Sequence, residues 1–152
     1  TLFRSKQINF MKKKKADFSF SNYLVINKNK KVIKKIKAPK RITFTNLLFA
    51  CDIGLSSVIL KSDLLKIHKF PKLKTKEDYL LWLRLAKDGV KMIGINETLL
   101  SWRKTDNSLS SSTLQKLSDA FLVYNKYLKF NFFKSIFHVF VLSLNFFNKR
   151  YL

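Results

Sequence analysis

The stretch Thr75-Lys76-Glu77-Asp78-Tyr79-Leu80-Leu81-Trp82-Leu83-Arg84-Leu85-Ala86-Lys87-Asp88-Gly89 decides how this chain is read. Thr75 stands three residues before Asp78, the spacing of a capping box, in which a hydroxyl and a carboxylate satisfy the free N–H groups at a helix start. Tyr79, Trp82, Leu83 and Ala86 then recur at helical spacing, and Gly89 supplies the stop. Residues 90–95 and 98–102 follow as two short apolar runs of strand type. A helix that hands over directly to strands predicts a layered fold of helices on a sheet.

Upstream, the run at residues 54–60 opens with Gly54 and reads as a compact β-rich segment, while Thr43 is placed to cap a short helix through Ala50. Phe18, Phe20, Leu24 and Ile26 alternate with polar residues. A polar turn at residues 27–31 leads to Val32, Ile33 and Ile36, which together make a hairpin signal. Residues 2–15 predict an amphipathic helix with lysines 12–15 in its last turn, where cations favour the helix dipole. Downstream, residues 104–112 form a polar, Ser-rich loop, and the pattern is helical again from Leu114. The fold class expected is α/β, a mixed sheet with flanking helices in residues 1–113, followed by a helical tail in residues 114–152.

The 152 residues are 47% hydrophobic and 14% aromatic, enough apolar material to form a core and to exclude intrinsic disorder. The formal charge is +22, concentrated in residues 1–50, which hold 14 basic side chains and one acidic one. Such a balance suits a phosphate-bearing ligand, an anionic lipid surface or nucleic acid, and it also suits a biased codon usage with no partner behind it. Nucleic acid is disfavoured. The aromatics near the lysines of residues 12–15 and 28–40 sit in alternating core patterns, and no glycine-containing aromatic RNA-binding signature is present.

Cys51 is the only cysteine, so no internal disulfide can form, and His68 and His138 lie too far apart for zinc-ligand spacing. Cys51 reads as a small buried hydrophobe rather than a nucleophile. The first methionine is Met11, within a helical pattern, so the chain reads as a piece of a longer one.

Between Lys134 and Lys149 lie 14 uncharged residues, too few to span a bilayer as a helix. Lys134, His138, Asn145 and Lys149 fall on one side of such a helix and leave a broad aromatic and aliphatic face. That pattern predicts either an interfacial helix on anionic lipid or a helix packed on the domain or a partner.

Glu77 and Asp78 are the only adjacent carboxylates. As helix architecture they favour the helix start. As chemistry, a carboxylate at a helix N-terminus stays ionised and can accept a proton from a substrate hydroxyl. Both readings stay open on the residues alone.

The segment from Lys76 to Ala86, then Gly89, Ile95-Asn96-Glu97, Leu99-Leu100, Trp102-Arg103 and Asn107-Ser108-Leu109-Ser110, resembles the second half of bacterial family 2 glycosyltransferases. Lys6-Gln7-Ile8-Asn9-Phe10-Met11, residues 18–23 and residues 53–58 are similar to the same family in the same order. The resemblance implies part of a GT-A fold, and transfer of a sugar from a nucleotide-sugar to an acceptor hydroxyl with inversion, in cell-surface polysaccharide synthesis. It implies Asp78 as general base with Glu77 beside it. Arg103, and with it Lys104 and Ser108, fall near the nucleotide diphosphate, where Arg103 competes with an ordinary salt bridge to Glu97 or Asp106. Ser56 or Ser57 lies beside the acceptor, in a run that also reads as a buried strand.

The family further implies a divalent metal, Mg²⁺ or Mn²⁺, held by an Asp-x-Asp motif. The seven aspartates here, at 17, 52, 63, 78, 88, 106 and 119, never stand two apart, so the metal ligands are absent from this chain. The resemblance therefore covers an acceptor-side half without its N-terminal nucleotide-binding half, and alone it should be inactive. A noncatalytic remnant acting as a structural partner is the other expectation. The location it implies is cytoplasmic, peripheral to the inner face of the cell membrane, with a glycan or lipid-linked acceptor.

Overall fold

The computed structural model describes residues 2–105 and 112–151, with side chains for residues 3–105 and 112–146. Helix α1 (Leu2–Lys14) leads into strand β1 (Phe18–Ile26), which turns at residues 27–31 into β2 (Val32–Ile36). The hairpin read from the alternating residues is thus present, with the Asn27 N–H donating to Lys31 O and Asn27 Oδ1 accepting the Lys31 N–H, each at 2.9 Å. After β3 (Arg41–Ile42) comes α2 (Phe44–Phe49). Thr43 caps α2, its hydroxyl oxygen accepting the Asn46 N–H.

The run at residues 54–60 divides into a 3₁₀ turn, Leu55–Ser57, and a short strand β4 (Val58–Leu60), so only its second half is extended. Helices α3 (Ser62–Ile67) and α4 (Glu77–Lys87) precede β5 (Met92–Arg103). Gly89 ends α4 with φ +79°, a left-handed conformation that glycine adopts at little cost. The two expected strands at residues 90–95 and 98–102 are one strand. The gap between them is a bulge at Asn96 and Glu97, where Asn96 Oδ1 accepts from the Asn22 amide at 3.0 Å and Glu97 pairs with Lys6 at 2.7 Å.

The sheet is mixed, in the order β2-β1-β5-β3, and β1 organises it. Along one edge β1 runs parallel to β5. Along the other it pairs antiparallel with β4 at Phe18 to Phe20 and with β2 at Tyr23 to Ile26. Phe18 and Phe20 point into the core, where the Phe18 ring meets Trp82 edge-on at 4.9 Å.

Helix α4 buries more than the expected stripe. Leu80, Leu81 and Leu85 are as inaccessible as Tyr79, Trp82 and Leu83. A helix that is apolar on nearly all sides must be covered on both faces. Here the sheet takes one side, and α2 with the C-terminal helices takes the other. Those helices are α5 (Thr113–Leu122), a π-helical turn Val123–Tyr127, and α6 (Phe132–Tyr151). Ala120, Val123, Tyr124 and Leu142 join the same core as Phe18 and Trp82.

The capping box expected at Thr75 does not form. Lys76 takes the cap position with φ 65° and no side-chain hydrogen bond. Thr75 is engaged elsewhere: its N–H and its hydroxyl both donate to Asp119 Oδ2, each at 2.8 Å, across 44 positions of sequence.

Helix α6 also departs from expectation. His138 and Asn145, expected on a polar outer side, face the protein. Helix α2 is short and leaves its last carbonyls without helical partners. Tyr79 donates to Leu47 O at 2.6 Å, Tyr124 donates to Leu48 O at 2.8 Å, and Asn145 donates to Phe49 O at 2.9 Å. His138 Nδ1 lies 3.3 Å from Leu48 O, and its ring stacks among Tyr124, Phe130 and Phe49. Burial lowers the His138 pKa. The polar groups of α6 thus serve α2, and the aromatic residues are turned outward.

Candidate functional site

Asp78 lies in the first turn of α4, in the wall of a cleft of about 540 Å³. Four other parts of the chain complete the cleft: Tyr23 from β1, residues 53–57, Leu100 and Trp102 from β5, and Phe146 from α6. Tyr23 stands opposite Leu100 in the parallel register, so β1 and β5 together form one wall. Lys74, Thr75, Lys76 and Glu77 continue the rim beside Asp78. The cleft therefore combines a carboxylate pair, two lysines and three aromatic side chains, the mixture of apolar walls and few polar groups that orients a small ligand.

Asp78 Oδ1 accepts the Tyr79 N–H at 2.7 Å, so the carboxylate does occupy one of the free donors at the helix start. Its pKa is nevertheless raised. Burial is the largest cause and outweighs the Tyr79 N–H, which favours the ionised form, while the neighbouring Glu77 charge raises it further. A carboxylate shifted upward is a better match for a hydroxyl proton than an ordinary one. Burial pushes the Tyr23 hydroxyl up to about 12, with Cys51, Asp52 and Asp78 adding to it, so Tyr23 offers the cleft a protonated O–H.

The Cys51 thiol is also raised to about 12, first by burial and then by Asp78, which keeps it protonated and poorly nucleophilic. Gly54 is needed for space: a Cβ there would stand 2.9 Å from Tyr23 Cε1, against the ring that lines the cleft.

Of the residues singled out in the sequence, Glu77, Asp78, Ser56 and Ser57 all reach this cleft. Ser56 is exposed, whereas Ser57 is buried and donates its hydroxyl to Gly54 O at 2.7 Å. Arg103 and Lys104 follow Trp102 at the end of β5, both exposed. The Lys104 N–H donates to Ile26 O at 2.9 Å, and its side chain lines a second, shallower depression with Asn27, Lys28, Asn29 and Ile33. Glu97, one of the two partners considered for Arg103, is held by Lys6. Ser108 and Asp106 lie outside the described residues.

Sequence reasoning did not assign Tyr23, Trp102, Phe146, Lys74 or Lys76 to a site. Trp102 carried a usable signal, an aromatic at the end of a strand beside Arg103. Phe146 carried none, because only the docking of α6 brings it to the cleft. Among the described residues no three His, Cys, Asp or Glu side chains come together to hold a metal ion. The donor set for Mg²⁺ or Mn²⁺ is not assembled by these residues.

Over 112 residues the chain is 37% identical to the Escherichia coli protein named UDP-Glc:alpha-D-GlcNAc-diphosphoundecaprenol beta-1,3-glucosyltransferase WfgD, a match covering 73% of this chain and 44% of that protein. It is 34% identical to a second E. coli protein of the same named activity, WfaP, over 74% of this chain and 44% of the relative. With the putative teichuronic acid biosynthesis glycosyltransferase TuaG of Bacillus subtilis it shares 29% identity over 86% of this chain and 52% of the relative. The proteins it resembles are glycosyltransferases. The chain spans about half the length of these curated relatives. No family model matches it, and no solved structure matches it.

Proposed function

We propose that this chain forms the acceptor side of an inverting family 2 glycosyltransferase of GT-A fold. It would act in cell-surface polysaccharide synthesis, with Asp78 as general base. The observation that carries the reading is the position of Asp78, whose pKa burial raises, on the cleft that Tyr23, Trp102 and the residues 53–57 enclose.

The step is a single displacement. The acceptor hydroxyl gives its proton to the Asp78 carboxylate as its oxygen bonds to the anomeric carbon of the donor. The bond from that carbon to the diphosphate breaks, and the electron pair leaves with the diphosphate. Glu77 and the Tyr23 hydroxyl are placed to hold other hydroxyls of the acceptor sugar, and Trp102 offers an aromatic face to its ring. Arg103 and Lys104, with Ser108, are assigned to the nucleotide diphosphate, where guanidinium and ammonium groups offset the developing charge. A divalent metal is expected in the family, but the described residues do not make its site, and no step here runs through it.

Apart from these contacts to the diphosphate, the nucleotide-sugar is assigned to a part outside this sequence, in keeping with the half-length match to the relatives. Two relatives are named for a diphosphoundecaprenol acceptor, which supports a lipid-linked acceptor, and the reading includes a location at the cytoplasmic membrane surface.

The test is Asp78→Asn in the protein carrying both halves. Transfer should fall 10²–10⁴-fold while binding of the nucleotide-sugar is retained. Arg103→Ala should instead weaken nucleotide diphosphate binding. Near-normal turnover in a folded Asp78→Asn enzyme would refute the assignment and leave the Glu77-Asp78 pair as helix architecture.

A further inference from the structure

Helix α6 is attached to the domain by one row of residues and exposes the opposite row. Ser135, His138, Leu142 and Asn145 form the inward row, buried or bonded to the end of α2. At 100° per residue, Phe133, Ile136, Phe137, Phe140 and Leu144 lie on the other side. Phe133 is 82% exposed, Phe140 60% and Phe137 55%. The stripe runs about 17 Å along the helix, a contiguous apolar surface rather than scattered exposed residues. Rotating the helix to hide the stripe would take the Asn145 amide from Phe49 O and His138 from Leu48 O.

The charges around the stripe indicate its occupant. From Thr113 to the C-terminus there are six basic residues and a single acidic one, Asp119. Asp119 is buried against Thr75, so α5 and the described part of α6 present no exposed carboxylate. Lys126, Lys129 and Lys134 are exposed at the N-terminal end of α6, and among the described residues none of them is in an ion pair. An apolar row bordered by unpaired cations, with no opposing carboxylate, complements an anionic bilayer surface. The same α5–α6 surface would be a poor match for a basic partner. No helix among the described residues is long and apolar enough to cross a membrane, so the helix would lie on the surface.

We infer that the outward face of α6 docks on an anionic lipid bilayer and holds the Asp78 cleft beside it. Phe146 extends the inward row from Leu142 by one turn and lines the cleft, so the helix that touches lipid on one side forms the cleft wall on the other. The cleft then stands about one helix diameter, 10–12 Å, above the lipid. A sugar tethered to lipid through a diphosphate would enter it from that side. This last point rests on the glycosyl-transfer reading, whereas the docking itself does not.

The experiment is sedimentation of the full chain with vesicles of neutral phosphatidylcholine, with and without phosphatidylglycerol as the anionic lipid, in the absence of any sugar substrate. Binding should be stronger to the anionic vesicles. Phe137→Ser with Phe140→Ser should weaken it more than tenfold. Lys129→Glu and Lys134→Glu should each weaken it at least about fivefold, on anionic vesicles only. An unchanged far-ultraviolet spectrum checks that these exposed substitutions leave the fold intact. Absence of binding, equal binding to both vesicle types, or insensitivity to the phenylalanine changes would overturn the inference. So would a stable dimer that fails to bind vesicles and that Phe137→Ser dissociates, since the face would then belong to a second copy. Transfer to a water-soluble acceptor by the protein carrying both halves, which depends on Asp78 and not on lipid, tests the catalytic reading separately.

Discussion

Replacing Asp119 with alanine should destabilise the chain by about 3 kcal/mol, because Asp119 accepts both donors of Thr75 in the turn that presents α4. Its Oδ2 accepts the Thr75 N–H and the Thr75 hydroxyl, each at 2.8 Å, and its Oδ1 accepts the Gln115 amide at 3.0 Å. Asp119 is 3% exposed and Thr75 6%. Alanine would leave two buried donors without acceptors, at roughly 1–3 kcal/mol each, while the half-buried Gln115 amide can recover water. Asp119→Asn keeps an oxygen that can accept both Thr75 donors and should cost about 1 kcal/mol or less. Urea unfolding of the full chain measures both, read as a shift in midpoint at constant slope. The informative comparison is the cycle with Thr75→Val, which should couple to Asp119→Ala by about 1–2 kcal/mol. Additive losses, or an Asp119→Ala loss under about 1 kcal/mol, would mean that Thr75 serves the start of α4 after all. The relation of Asp78 to α5 would then be incidental.

Asp78→Asn should also stabilise the chain at neutral pH. A carboxyl whose pKa is raised on folding favours the folded state only while protonated. Its contribution is therefore lost as pH rises from its unfolded value through the higher folded one, and the gain from asparagine should vanish at strongly acidic pH; urea midpoints across pH would expose the opposite sign. Gly94→Ala should be among the costliest substitutions in the sheet, since its Cβ would meet the Pro39 carbonyl oxygen at 2.1 Å and break the approach that lets the Gly94 N–H donate to Lys40 O. A loss of about 1–3 kcal/mol, with faster amide exchange at Arg41 and Ile42, is expected, and an unchanged midpoint would contradict it.

Much of the site was legible because its signals are local. The Glu77-Asp78 pair, the helix behind it and the Gly89 stop depend on spacing within one or two turns, and the structure retains them. Thr75 was misread for the same reason. Its spacing to Asp78 is right for a cap, but the acceptor that takes its two donors is 44 residues away, and nothing near Thr75 indicates it. The bulge at Asn96 and Glu97 was visible as a polar gap between apolar runs, yet only the pairing with β1 makes that gap an irregularity within a single strand.

What the sequence determined by itself was the longer helices, the hairpin and the carboxylate at a helix start, fixed by periodicity and turn chemistry within short windows, and the basic balance, fixed by composition. What only the tertiary structure decided was which side of α6 faces the protein. Hydrophobic patterning alone would turn Phe133, Phe137 and Phe140 inward and His138 and Asn145 outward. The Phe49 carbonyl, with the His138 contact to Leu48 O, opposes this, because an unpaired carbonyl in the interior costs free energy comparable to that gained by burying an aromatic ring. A helix of six residues cannot satisfy its own C-terminus, so Tyr79, Tyr124 and, from α6, Asn145 supply the donors, and the aromatic face of α6 is left outside.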